Sequence, residues 1–196
     1  SSTSCWWGAQ DRMAATRGSW LAGSPCSDTR RTRFSLATKP SFPAKPNAVL
    51  NVNFTYGVLE DCREKFIGVA ARAFARAGFE WVITQHPMDR ANLHGLPTSD
   101  RTQYELIDQG TVFVSRFATG ILEALASGKP AIYFNPHGEQ VAKFKDPRGA
   151  FDVATTETEL IQALKKVVAD IQAGVDFRSR ALPFLAHHTA YSPDGL

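Results

Sequence analysis

The sequence predicts an α/β domain built on a doubly wound parallel sheet. Three observations carry this expectation. From Ala48 onward, apolar runs of strand length alternate with stretches of helical periodicity, in the order β-α-β-loop-(α)-β-α-β through residue 135. Thr111 to Asn135 reads as strand, turn, helix, Gly-Pro stop and strand, which is a βαβ unit and therefore right-handed. Hydroxyls, imidazoles and glycines gather just after the strands, at the sheet edge where open parallel sheets bind ligands.

Residues 1–46 differ from the rest, being rich in Ser, Thr, Gly, Pro and Arg with little periodicity. They read as the end of a preceding domain followed by a linker. Trp6, Trp7 and Trp20 argue that part of the segment is buried. The spaced prolines of Lys39 to Pro46 favour extended chain and mark the boundary. A domain over 47–190 and a tail over 191–196 follow. The first strand is Ala48 to Phe54, and Thr55-Tyr56-Gly57 is its turn into a helix. Gly57 would let a backbone or a ligand approach closely, or simply serve the turn. Cys62, Phe66, Val69, Ala70, Ala73, Phe74 and Ala77 form one helical face, ended by Gly78.

Trp81 to Gln85 is the next strand, with His86 at its carboxyl end and Pro87 setting the turn. Met88 to Asp100 is polar and reads as a loop containing His94. Tyr104, Leu106 and Ile107 suggest a short helix. In the βαβ unit, the turn from Ser115 to Gly120 lies at both a strand end and a helix N-terminus. Unpaired amides and the helix dipole there favour an anion, typically a phosphate. Glu123 lies four residues after Thr119, on its face of the helix, and a carboxylate in so apolar a helix needs a reason: a ligand, or the favourable place of an acid near a helix N-terminus.

Asn135-Pro136-His137-Gly138-Glu139 reads as another strand exit, with Glu139 opening a helix that includes Val141 and Phe144. Phe151 to Val153 is briefly extended. Thr156 and Glu159 fit a capping box. Leu160, Ile161, Leu164, Val167, Val168 and Ile171 then make an amphipathic helix closed by Gly174. His187-His188 has no acid or thiol at ligand spacing and is poor evidence for a metal.

Composition narrows the function classes. At 196 residues, with 43% apolar and 21% charged residues, the chain can bury one full core. A net charge of +3 suits a phosphorylated ligand, but no Lys/Arg stripe predicts nucleic-acid binding. Cys5, Cys26 and Cys62 are few, scattered and odd in number, as expected of free thiols in a reducing compartment. No apolar run reaches membrane-span length, and the N-terminus has no signal-peptide pattern. The chain also lacks an initiator Met and ends abruptly, so a fragment of a longer protein is expected. There is no Walker P-loop, Gly-x-Gly-x-x-Gly, zinc spacing or nucleophile elbow.

The run Ser115-x-x-x-Thr119-Gly120-x-x-Glu123-Ala124-Leu-Ala-x-Gly128-Lys129-Pro130 resembles the donor-nucleotide motif in the C-terminal half of GT-B fold glycosyltransferases. The similarity is greatest to the branch holding surface-polysaccharide transferases, CDP-glycerol glycerophosphotransferases and UDP-N-acetylglucosamine 2-epimerases. Gly23-Ser-Pro25-Cys-Ser-Asp28 is similar to the Gly-x-Pro-x-x-Asp that joins their two domains, and His86-Pro87 to the His-Pro after their second C-domain strand.

The resemblance implies a Rossmann-like donor-binding half preceded by the end of an acceptor domain. It implies that Thr119, with the amides of Thr119 and Gly120, holds a diphosphate, assisted by Ser115. Glu123 would hold the ribose, Gly57 would line the site, and His86 would be the catalytic group, stabilising charge on the leaving nucleotide. The donor is a nucleotide-sugar or CDP-glycerol, with His86-Pro87 favouring cytidine, and neither a cofactor nor a metal is expected. The acceptor is a glycan or lipid-linked molecule. The implied location is cytoplasmic, with peripheral attachment at the inner face of the membrane and membrane-associated assembly partners as options. Ala118 stands where relatives often carry a hydroxyl, and Gly110-Thr111 where they often carry an Asp. The general base belongs to the other half, so binding without turnover is expected. A half-domain of a sugar-nucleotide 2-epimerase and a non-catalytic nucleotide-binding or interaction module remain alternatives.

Overall fold

The structure is a computed structural model that describes residues 40–54, 59–86, 88–139, 141 and 144–188. The Gly23–Asp28 motif, Gly57, Pro87, Cys5, Cys26 and the residues after 188 lie outside the described residues.

Five strands form one sheet: β1 (Asn47–Val52), β2 (Glu80–Gln85), β3 (Val112–Ser115), β4 (Ala131–Phe134) and β5 (Asp152–Ala154). Their order is β2-β1-β3-β4-β5 and every pairing is parallel. The chain steps from β1 outward to β2, then returns to place β3 on the other side of β1. That reversal makes the carboxyl ends of β1 and β3 the topological switch point, where open sheets part to form a ligand crevice. The register aligns Asn51, Ser115 and Tyr133 across the three central strands.

The helices are α1 (Arg63–Ala77), α2 (Gln103–Gln109), α3 (Thr119–Ala126), α4 (Glu157–Gln172) and α5 (Phe177–His188), with a 3-10 turn at Glu60–Cys62. Both faces of the sheet are covered, which is why β3 and β4 read as continuous apolar runs and not as alternating ones. On one face Leu50, Val114, Ile132 and Phe134 meet Phe66 and Phe74 of α1 and Leu164 of α4. On the other, Val49, Phe113 and Tyr133 meet Leu106 of α2, Ile121 and Leu125 of α3, and Phe184 of α5. Gly78, Gly128 and Gly174 follow α1, α3 and α4 with φ of 76°, 74° and 72°, as the helix stops in the sequence predict.

Three local expectations are corrected. First, Glu139 does not open a helix with Val141 and Phe144; the described residues there are irregular. Asn135 closes a turn instead, donating from Nδ2 to the Glu139 carbonyl (2.9 Å) and accepting from the Glu139 amide (2.8 Å), with Gly138 at φ 70°. Second, the box at Thr156 is half a box. Thr156 accepts from the Glu159 amide at 3.2 Å, but the Glu159 carboxylate turns to the amide and hydroxyl of Thr155, both at 2.7 Å. The reciprocal box belongs to Thr102 and Glu105 at the start of α2. Third, residues 177–188 form a helix that the sequence reading did not assign. Its periodicity is weak and Pro183 lies inside it, yet Phe177, Ala181, Phe184 and Leu185 are buried and Asp176 accepts from the amides of Arg178 and Ser179.

The proline-rich segment before β1 lies on the domain. Phe42 packs edge-on against Phe177 at 5.9 Å between ring centres. Lys129, 3% exposed, donates to the carbonyls of Ser41 (2.6 Å) and Gly110 (2.9 Å).

Candidate functional site

The topological switch point lies at the exits of β1 and β3, beside the N-terminus of α3, where an open parallel sheet is expected to hold a ligand crevice. Ala118 occupies the N-cap in extended conformation, φ −156° and ψ 150°, and its methyl cannot cap. The first amides of α3, those of Thr119 and Gly120, therefore face the crevice without a side-chain acceptor. Gly120 has a packing role as well. A Cβ there would lie 2.7 Å from Phe113 Cζ and 2.8 Å from Gln103 Nε2, so any larger residue would have to push one of those side chains aside.

Glu123 sits one turn into α3. Gln103 Nε2 donates to Glu123 Oε2 at 2.9 Å, and the Tyr104 hydroxyl donates to Oε1 at 3.1 Å. Burial raises its pKa above the usual carboxylate value, and the bonds from Tyr104 and Gln103 offset part of that. Each oxygen retains a lone pair for a further donor. The network continues inward. Gln103 Oε1 accepts from Asn51 Nδ2 at 3.0 Å, and Asn51 Oδ1 accepts from the Ser115 hydroxyl at 3.1 Å. Ser115 is fully buried, so it braces the crevice floor through Asn51. Asn51, Gln103 and Tyr104 were missed in the sequence, where only the unrecognised capping box at Thr102 points to that end of α2.

Arg116 was also missed. It is 1% exposed, donates to both oxygens of Glu139 (Nε to Oε2, 2.9 Å) and to the Asn53 carbonyl (2.8 Å), and lies 4.2 Å above the Phe54 ring centre. Arg63 mirrors it from α1. It pairs with Asp89 at 2.9 Å, donates to the Phe54 carbonyl at 3.0 Å and lies 5.5 Å from the same ring. Two guanidinium groups thus clamp the β1 exit, each neutralised by an acid from another strand exit. The available signal was a basic residue inside an apolar run, which demands a buried partner.

His86 ends β2, and the Val52–Gln85 register places it beside Asn53. It is 9% exposed, and its Nδ1 accepts from the Met88 amide at 3.1 Å. The neutral ring therefore carries its proton on Nε2. Burial holds its pKa below 6.5, and the Asp89 carboxylate offsets part of this. His137, at the β4 exit, has a buried Nε2 without a hydrogen-bond partner among the described residues. Burial lowers its pKa, as do Arg116 and Lys65, while Glu139 opposes them. The structure thus gathers His86, Ser115, Thr119, Gly120 and Glu123 at one sheet edge. Among the described residues no group of three or more His, Cys, Asp or Glu is placed to hold a metal ion, and no helix is long and apolar enough to cross a membrane.

No family model matches the chain, and no curated protein matches it. Solved structures do. The spinosyn rhamnosyltransferase SpnG aligns at 18% identity and a TM-score of 0.51, over 79% of this chain and 44% of that one. The spinosyn forosaminyltransferase SpnP aligns at 16% identity and a TM-score of 0.52, over 87% and 45%. A variant of the wall teichoic acid polymerase TagF aligns at 9% identity and a TM-score of 0.51, over 83% and 44%. These are GT-B glycosyltransferases. The chain has the fold of a GT-B half, consistent with the C-terminal one, and spans less than half the length of the structures it matches.

Proposed function

We propose that this domain is the donor-binding part of a glycosyltransferase that moves a sugar or glycerol-phosphate unit from a nucleotide-activated donor to a cell-surface polysaccharide acceptor. The observation that carries the reading is the uncapped N-terminus of α3 at the switch point, with Glu123 held one turn along by Gln103 and Tyr104. The amides of Thr119 and Gly120 and the Thr119 hydroxyl bind the diphosphate, where the helix dipole adds to the attraction. Glu123 accepts from the ribose hydroxyls. His86 offers a neutral Nε2–H donor to the diphosphate oxygens, where charge grows as the bond to the transferred unit breaks. A donor aimed at growing charge lowers the barrier without needing to transfer its proton. The likeness to GT-B glycosyltransferases, one of them a teichoic acid polymerase, supports this reading of the fold. On this reading the general base that activates the acceptor belongs to an N-terminal half, and the reaction takes place in the cytoplasm without a metal.

Calorimetric titration of the chain with CMP, CDP and UDP tests the reading. A diphosphate binds more tightly than its monophosphate, and Glu123→Ala weakens it by about ten- to a hundredfold, the value of a bond or two to a charged group. His86→Ala weakens the diphosphate more than the monophosphate. A folded chain that binds none of the three, or binds them equally well as Glu123→Ala, refutes the proposal.

A further inference from the structure

Two side-chain amides stand between the strand ends and Glu123. Asn51, 4% exposed, is in register with Thr84 of β2 on one side and Ser115 of β3 on the other, so it lies at the floor of the switch point. Gln103 of α2 fills the space beside Gly120, where a Cβ would lie 2.8 Å from its Nε2. A side-chain amide has a donor end and an acceptor end, so amides in series have a direction only if their neighbours fix it.

Here both ends are fixed. The Thr84 carbonyl can only accept, and it lies 3.5 Å from Asn51 Nδ2. That turns Asn51 Oδ1 to the Ser115 hydroxyl, which donates to it at 3.1 Å. Asn51 Nδ2 donates to Gln103 Oε1 at 3.0 Å, and Gln103 Nε2 donates to Glu123 Oε2 at 2.9 Å. An ionised carboxylate also only accepts, so the last link agrees with the first. The chain of bonds runs one way, from β3 through β1 and α2 to α3. The Tyr104 hydroxyl donates to the other oxygen, Oε1, at 3.1 Å. Each oxygen of Glu123 thus has one protein donor and a lone pair to spare, a match for two neighbouring hydroxyls. Burial pushes Glu123 above the usual carboxylate range, and the bonds from Tyr104 and Gln103 oppose that. A Gln103 turned end for end would set its carbonyl against the carboxylate and favour the protonated form, which offers an O–H where an acceptor is needed.

We propose, on the strength of the donor reading above, that Asn51 is a positioning residue for the donor: it fixes which end of Gln103 meets Glu123, and so keeps Glu123 a two-oxygen acceptor for the ribose diol. Ser115, on this account, acts on the nucleotide through Asn51 and not as a phosphate ligand.

The test titrates the chain with CDP and UDP and takes the one that binds, beside its 2′-deoxy counterpart. The parent prefers the ribonucleotide by about ten- to a hundredfold, the value of one bond to a charged acceptor. Asn51→Asp has no donor for Gln103 Oε1, turns the amide round, and lowers that ratio by about tenfold. Asn51→Leu leaves Gln103 able to keep its donor on Glu123 and lowers the ratio less. A role in packing alone predicts the reverse order, because Asp is the closer match in shape. Gln103→Glu, on a part-exposed position, lowers the ratio as Asn51→Asp does and decides the matter if Asn51→Asp fails to fold. The pH profile of the ratio adds a second reading. It falls as pH drops through the Glu123 pKa, and Gln103→Glu moves that midpoint upward by setting a second carboxylate beside the first. Titration of His86 and of the diphosphate is common to both ligands and cancels, which leaves the Tyr104 phenol as the titratable group bonded to Glu123. A parent without the preference, a ratio unmoved in Gln103→Glu, or a greater loss in Asn51→Leu than in a folded Asn51→Asp overturns this inference alone, provided that the nucleotide binds and Glu123→Ala weakens it. If neither nucleotide binds, the donor reading falls and this inference with it.

Discussion

Two buried cations bracket α3, and the fold treats them differently. Arg116 precedes the helix at the carboxyl edge of the sheet and is neutralised by both oxygens of Glu139. Lys129 follows the helix at the opposite edge and, among the described residues, donates to the carbonyls of Ser41 and Gly110 and lies 4.9 Å from the Phe42 ring, with the Asp108 charge nearby but no ion pair. A guanidinium stays charged in any protein site, so Arg116 needs an acid. An ammonium can shed its proton, and burial lowers Lys129 to about 8. The charged, fully paired cation therefore sits where a ligand is expected, and the one near its titration point anchors the linker. Lys129 lies within the nucleotide motif read from the sequence, yet it is a helix length from Thr119 and serves the architecture.

Breaking the Arg116 pair has the largest effect. Glu139→Ala leaves a buried guanidinium without its acid and costs about 3–5 kcal/mol in urea unfolding. The double change Arg116→Met with Glu139→Leu recovers much of that, because an apolar pair avoids the desolvation of both charges. A double variant no more stable than the single one would show that Arg116 matters chiefly as a donor to the Asn53 carbonyl.

Gly120→Ala comes next. The added methyl displaces Gln103 or Phe113, costs about 1–3 kcal/mol, and disturbs Glu123 through Gln103. Thermal unfolding and CDP or UDP affinity should fall together. A stable variant with lowered affinity would separate the two roles.

Lys129→Met tests the other cation. Loss of two donated bonds costs about 1–3 kcal/mol and exposes residues 40–46 to protease. The pH dependence has a definite sign. The folded pKa of about 8 lies below the unfolded value of 10.5, so between those limits the unfolded chain holds the extra proton. Stability of the parent relative to Lys129→Met should therefore rise with pH across that window, by at most about 1.4 kcal/mol per unit. A flat difference curve would remove the titration from the account.

The smallest effect concerns His86. Its folded pKa is depressed, so its contribution is present above pH 6.5 and is lost as pH falls through the lower folded value. Its NMR titration should place the midpoint below 6.5, with the neutral proton on Nε2. A proton on Nδ1 would contradict the bond from the Met88 amide.

Much of the crevice was legible because it is made of neighbours in sequence. Ser115, Thr119, Gly120 and Glu123 span one turn and one helical turn, so the strand exit and helix N-terminus that place them are local features. The partners were not legible. Asn51 reaches Ser115 across 64 positions, and Gln103 reaches Glu123 across 20. The helix expected from Glu139 does not form because Asn135 bonds the Glu139 backbone into a turn, a contact that periodicity does not encode.

From the sequence alone came the parallel α/β class, the strands and most helices, and the sheet edge and turn where the candidate residues gather. All of these follow from hydrophobic period, capping residues and the handedness of a βαβ crossover. The tertiary structure decided which acid neutralises Arg116, how Glu123 is braced, where the linker sits, and that the buried Tyr133 hydroxyl has no hydrogen-bond partner among the described residues. Those outcomes depend on strand register and on the packing of segments far apart in the chain, where one buried charge or hydroxyl must find its partner in space.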